Sequence, residues 1–274
     1  MNVQWNSVRL FQRFVLVWVM GFLLSAYWDV DHINTMLRSP DYLPPGPLKY
    51  ITHALSILPD GIEAIVVLVL VPVVVLLCIR DIVRAPQWWS SLLIWFGYVN
   101  LMNNAWLAGS GGQQLMANLL LWSAVLVAAG SNRAGEWMNE HMTVCAFWIM
   151  RIQLLVAYAA TGTHKLTGAH WLDGSAIGVV SSDAAFGPSW MTEHTTIAQA
   201  ATWIVLVFQL TFPIAVWWKR LRLFWMGIGI AFHLATALWM DIPEMGLAFI
   251  AAYPIWLDDA SVLRWKLTRR LSLP

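Results

Sequence analysis

Ile62-Glu63-Ala64-Ile65-Val66-Val67-Leu68-Val69-Leu70-Val71-Pro72-Val73-Val74-Val75-Leu76-Leu77-Cys78-Ile79 is an apolar run with one glutamate near its start, one proline inside it and Arg80 at its end. A helix needs about 20 mostly apolar residues to cross the hydrocarbon of a bilayer. A stretch this uniform offers no polar face to water, so it reads as a transmembrane helix. Similar runs fall at about 11–28, 88–108, 113–130, 143–163, 196–218, 222–240 and 244–258. The expectation is an all-α, polytopic integral membrane helical bundle of about eight transmembrane helices.

Composition agrees. The chain has 274 residues, 59% of them hydrophobic and 11% charged. Soluble domains carry about 25% charged residues, so lipid must solvate much of this surface. A net charge of +1 gives no argument for nucleic acid. The two cysteines, Cys78 and Cys145, sit in apolar runs and read as small buried hydrophobes. Nineteen tryptophans include the pairs Trp88-Trp89 and Trp217-Trp218 at expected helix ends, where an indole can stay half wet. Arg9 and Arg13 precede the first run, but no small-x-small site follows Trp28, so that run reads as a span that stays attached. The segment 29–60 holds Pro40, Pro44, Pro45 and Pro47, then a short amphipathic stretch from Ile51 to Leu58, and reads as a surface loop. With no internal repeat or soluble region, one domain over 1–274 is expected.

Basic residues set the orientation, because Lys and Arg collect on the cytoplasmic side. With the N-terminus inside, Arg9, Arg13, Arg80, Arg84, Arg133, Lys219, Arg220, Arg222, Arg264, Lys266, Arg269 and Arg270 are inside, 12 of the 16. The residues from 258 onward form a basic cytoplasmic tail. Most acids, Glu63, Asp173, Asp183, Glu193, Asp241 and Glu244 among them, then fall outside. This sorting needs an even number of crossings and puts both ends inside.

Charges within a span are costly and mark functional candidates. Arg151, Tyr158 and Lys165 are seven residues apart, close to two helical turns, so they share one face of the fifth span. That stripe, with Gln153 and His164, should face the bundle interior or a wet cavity. Asn103 and Asn104 end the third span, His233 lies in the seventh, and Trp171 follows Lys165 in a short loop. Together they outline an outward-facing polar pocket. The plainer readings are a structurally bonded Arg151, a snorkelling Lys165 and a hydrogen-bonded core His233. No motif has metal-ligand spacing, and no metal is expected.

The stretch Arg151-Ile152-Gln153 through Tyr158, Gly162-Thr163-His164-Lys165-Leu166 and Trp171-Leu172-Asp173-Gly174 resembles the signature of the vitamin K-dependent gamma-carboxylase-like membrane family, the HTTM (horizontally transferred transmembrane) domain. Phe232-His233-Leu234 and Ala252-Tyr253-Pro254 are similar to its later helices, and Asn103-Asn104 to its third. The resemblance implies that Lys165 is the base that deprotonates a reduced quinone ahead of glutamate carboxylation, in a site facing the lumen. A lysine amine held out of water can accept a proton. Two departures stand out. The carboxylases carry a histidine after the paired asparagines, where this chain has Ala105, and only 17 residues follow Leu257 in place of a large luminal region. Two functions follow. One is an enzyme in a bacterial inner membrane, acting on a quinone or lipid-like substrate, with a membrane or periplasmic partner supplying substrate binding. The other is a non-catalytic accessory subunit that binds partner helices or a peptide. A DoxX-like quinone-linked subunit is set aside because such chains are shorter.

Overall fold

Hydrocarbon offers no hydrogen bonds, so each spanning segment must satisfy its own backbone, and a helix does this within one segment. The computed structural model describes residues 3–27, 46–104, 109–131, 136–183, 185–188 and 190–263, and among them there is no strand. The long helices are α1 (Trp5–Ala26), α3 (Asp60–Val83), α4 (Trp88–Asn104), α5 (Gly111–Ser131), α6 (Glu136–Lys165), α10 (Thr195–Ala215) and α11 (Lys219–Trp239). Short helices are α2 (Lys49–Thr52), α7 (Ala169–Leu172), α8 (Ala176–Ser181), α9 (Trp190–Glu193) and α12 (Pro243–Ala252), the last passing into a 3-10 turn, Tyr253–Trp256. Exposed threonines of α6 return their hydroxyls to their own helix: Thr161 donates to Ala157 O and Thr163 to Ala159 O, both at 2.8 Å. This removes the cost of a polar group facing lipid.

Among the described residues six helices are long and apolar enough to cross a membrane: α1, α3, α5, α6, α10 and α11. The protein is an all-α, polytopic membrane bundle. The third and eighth expected spans are α4, of 17 residues, and α12, of 10. α12 tightens at Pro254, which has no N–H to continue the ladder. The prolines within α3 (Pro72) and α10 (Pro213) leave those helices unbroken. Leu68 and Leu76 of α3 are more than half exposed, as lipid-facing side chains are. Of the expected surface loop, residues 28–45 lie outside the described residues, as does the tail from 264.

The chain divides into two compact units. The first holds Met1–Met150 with Leu257–Pro274. In it α1 packs on α3, α3 on α4 and α4 on α5. Trp18 stacks on Phe22 at 5.2 Å, and both meet Tyr98 edge-on. Gln12 Nε2 donates to Ser123 Oγ at 3.0 Å across α1 and α5. Asp81 is buried, pairs with the half-buried Arg80 and accepts from Ser90 Oγ at 2.7 Å. The second unit, Arg151–Trp256, packs α10 against α8 and α11, and α11 against α12. A Cβ at Gly246 would collide with the His233 carbonyl, so glycine is what lets α12 lie so close to α11.

Two expectations about single residues are corrected. Cys145 is exposed on α6 rather than buried, because apolar surroundings in sequence do not say which face meets lipid; Cys78 is buried, and both are free thiols. Glu63, expected among the outer-loop acids, sits in the first turn of α3 and is only 2% exposed.

Candidate functional site

The fifth-span stripe lies on α6, and Arg151 and Tyr158 point into the second unit. Arg151 is buried; its Nε donates to Ile255 O at 2.9 Å and its guanidinium lies 4.9 Å from the centre of the Trp256 ring. The 3-10 turn exposes carbonyls that a continued α-helix would have used, and Arg151 satisfies one of them. Tyr158 is fully buried two turns on. Its hydroxyl lies 2.5 Å from His233 Nε2 and 2.5 Å from Tyr253 Oη. Phe208, Phe212 and Phe249 surround its ring at centroid distances of 5.3, 4.5 and 5.3 Å. His233 stacks on Phe249 at 4.6 Å, and its buried Nδ1 has no hydrogen-bond partner among the described residues. The expectation that the stripe turns inward holds for Arg151 and Tyr158. These two pin α6 to α11, α12 and the turn after α12.

Lys165 ends α6 in a different setting. Gly162 sits one turn earlier, where a Cβ would come 3.1 Å from Leu210 and 3.2 Å from the Gln209 backbone of α10. The absent side chain therefore sets how closely α6 approaches α10. Past Lys165 the helix closes in 3-10 turns, with Thr167 N bonded to His164 O and Gly168 N to Lys165 O, both at 3.1 Å. Gly168 leaves space for Trp171, which folds back until Lys165 Nζ lies 4.7 Å from its ring centre. Lys165 and Trp171 are half-buried, and His164 is exposed. Gln153 is half-buried lower on α6. Among the described residues no carboxylate lies within ion-pair distance of Lys165.

Asn103 and Asn104 belong to the first unit and are engaged there, Asn103 with backbone and Asn104 with side chains. Asn103 Nδ2 donates to Thr52 O at 2.8 Å, and Asn104 Nδ2 to Glu63 Oε1 at 2.6 Å. One turn earlier, Asn100 donates to Ile51 O at 2.8 Å and accepts from Ala54 N at 2.6 Å. Asn100 and Asn103 thus fasten the 46–58 segment to the end of α4, and Ser56 Oγ donates to Asn104 Oδ1 at 3.5 Å. Among the described residues no group of three or more His, Cys, Asp or Glu is placed to hold a metal ion.

Sequence reasoning missed Tyr253, Trp256 and Glu63. Tyr253 and Trp256 flank Pro254 at the end of an apolar run, a position that signals a turn but not a partner about 100 residues earlier. Glu63 carried a signal, since an acid within a hydrophobic run needs a bonded partner.

Helices with lipid-facing apolar side chains and polar contacts turned inward define a polytopic membrane protein. The chain matches the HTTM domain over residues 66–260 and belongs to that family. Among curated proteins it is 26% identical over 186 residues to the sporulation-delaying protein SdpB of Bacillus subtilis, covering 61% of this chain and 57% of that protein. The chain thus spans a little over half the length of this relative. No solved structure matches it.

Proposed function

We propose that this protein is a membrane-embedded, carboxylase-like enzyme in which Lys165 is the base, acting on a reduced quinone or another lipid-like acid in a pocket open to the outer face of a bacterial inner membrane. The observation that carries this reading is the setting of Lys165. It is a half-buried amine at the end of a long spanning helix, held over an indole and without a carboxylate partner among the described residues. A carboxylate partner would hold the amine protonated and unable to act as a base; among the described residues Lys165 has no such partner. The α6 turns beneath it are pinned by Arg151 and Tyr158, so the amine is presented from a rigid element. A bound reduced quinone would supply an acidic hydroxyl and reducing equivalents. Trp171 offers a flat apolar face beside the amine for such a ring, His164 is the adjacent polar residue on α6, and Gln153 and His233 lie deeper along the same unit.

A second reading is favoured by a different observation. Tyr158, His233, Asn103 and Asn104, all expected to line the pocket, are engaged in contacts that hold helices and turns together. A scaffold that binds partner helices or a peptide needs only that. Substituting Lys165→Met in the full chain separates the two. If the protein folds and keeps its co-purifying partners but loses its effect in the cell, Lys165 is chemical. If the effect survives, or vanishes only together with partner binding, the scaffold reading holds.

A further inference from the structure

Beyond Trp171 the second unit contains a cleft of about 480 Å³ that no role above uses. Sites for small ligands span roughly 300–1,000 Å³. Asp173, Gly174 and Ser175 form one wall, α8 contributes Gly178, Val179 and Ser182 lies just past its end, α9 contributes Met191 and Thr192, and the first turn of α10 contributes Thr195, Ala198 and Gln199. The wall at 173–175 is built to a shape. Gly174 has φ +85, and a Cβ on it would lie 2.7 Å from Gln199 Cγ and 2.8 Å from Trp203 Nε1. Only glycine fits there. Asp173 Oδ1 accepts from Ser175 N at 2.8 Å, and Gln199 Nε2 donates to Asp173 O at 3.4 Å.

The chemistry of the lining is uneven. Asp173 presents a carboxylate at the lip, with His170 Nδ1 3.9 Å away. Hydroxyls of Ser175, Ser182, Thr192 and Thr195 and the Gln199 amide surround the opening, while Val179, Met191 and Ala198 supply apolar surface. No Lys or Arg is among these residues. The lining also includes Thr195 at the start of α10, a 21-residue helix whose leading backbone N–H groups carry partial positive charge. The lining therefore combines a carboxylate, a helix start that favours anionic oxygen, and apolar side chains. It lies in the connection between two membrane spans, level with their ends.

We propose that this cleft binds a zwitterionic head group, an ammonium set a few bonds from an anionic oxygen, carried on an apolar stem. The ammonium sits at Asp173, the anionic oxygen at Thr195 and the start of α10, and the stem lies against Val179, Met191 and Ala198. Ser175 hydrogen bonds hold the Asp173 carboxyl below its ordinary range, so the lip is charged at neutral pH. The same chemistry belongs to a membrane lipid or to a soluble amino-phosphate.

The test uses the full chain, purified in mild detergent and offered phosphatidylethanolamine, phosphatidylglycerol or soluble phosphoethanolamine, with retention read by native mass spectrometry. Phosphatidylethanolamine should be retained on the order of tenfold better than phosphatidylglycerol, and Asp173→Asn should cut that by about tenfold, the worth of one hydrogen bond to a charge. Gly178→Leu should abolish retention, because a Cβ there meets only Ala198 at 3.7 Å and the larger side chain must fill the cleft. Ser182→Leu at the mouth provides a second block should Gly178→Leu melt early. Competition by soluble phosphoethanolamine shows that the head group alone is recognised; retention of the lipid without such competition identifies the lipid as the source. Equal retention of the two lipids, or unchanged retention in both blocking variants that fold, overturns the proposal. Lys165→Met should retain the lipid normally, so this result is independent of the role of Lys165.

Discussion

Replacing Tyr158 with Phe removes one oxygen and leaves the packing in place. The ring contacts with Phe208, Phe212 and Phe249 do not involve the hydroxyl. Both hydrogen bonds do, and both run between groups shielded from water and lipid: His233 and Tyr253 are each 2% exposed. His233 already has one ring nitrogen without a partner among the described residues, so the substitution leaves the imidazole with none from Tyr158 and the Tyr253 hydroxyl with one fewer. Orphaning a buried polar group costs about 1–3 kcal/mol in soluble proteins. Inside membrane bundles the measured coupling of such pairs averages about 0.6 kcal/mol and reaches about 1.7. With two bonds lost at one atom, the structure predicts a destabilisation of about 1–2 kcal/mol. The assay is reversible unfolding of the full chain in mixed micelles, with Tyr158→Phe, His233→Phe and the double variant forming a cycle. The two substitutions should couple by about 1 kcal/mol. Strict additivity, or a Tyr158→Phe variant as stable as the parent, would refute the claim that this hydroxyl joins α6 to α11 and the turn after α12.

Gly229→Ala should destabilise by about 1–3 kcal/mol in the same assay, because a Cβ there would overlap the Tyr253 hydroxyl and press on Phe208; unchanged stability would mean the helices can part at no cost. Asn100→Ala frees the Ile51 carbonyl and the Ala54 amide together, so amide exchange across 46–58 should rise well above that of α4, whereas equal protection would show that other contacts hold the segment. The Asp173 carboxyl is held below its ordinary value of 3.8 by Ser175 hydrogen bonds. A carboxyl depressed by folding contributes order above its unfolded value and loses it as pH falls through the folded value. Amide exchange at Ser175 should therefore accelerate only below about pH 4, and Asp173→Asn should remove that step.

Hydropathy located the helices because lipid-facing side chains must be apolar whatever lies beyond them. It placed the start of α6 at 143, whereas the helix begins at Glu136; the turns holding Asn139, Glu140 and His141 are helical yet polar, and hydropathy reads the solvent rather than the backbone. The stripe on α6 was legible because a seven-residue spacing fixes a helix face. Its partners were not. Ile255 lies 104 residues from Arg151 and Tyr253 lies 95 from Tyr158, and no local pattern encodes such pairings. Asn103 and Asn104 show the converse. Their polarity at a span end marked them as important, but an asparagine that ties down a neighbouring segment and one that lines a pocket look alike in sequence.

The central claim is that Lys165 is a base at an outward-facing, quinone-accessible helix end. The most direct measurement is oxygen-dependent oxidation of a reduced menaquinone by the full chain reconstituted in lipid vesicles, compared with Lys165→Met and with protein-free vesicles. The account predicts a rate above the protein-free level for the natural chain and a return to that level for Lys165→Met. Equal rates for the two chains, or no rate above the vesicles alone, would contradict it.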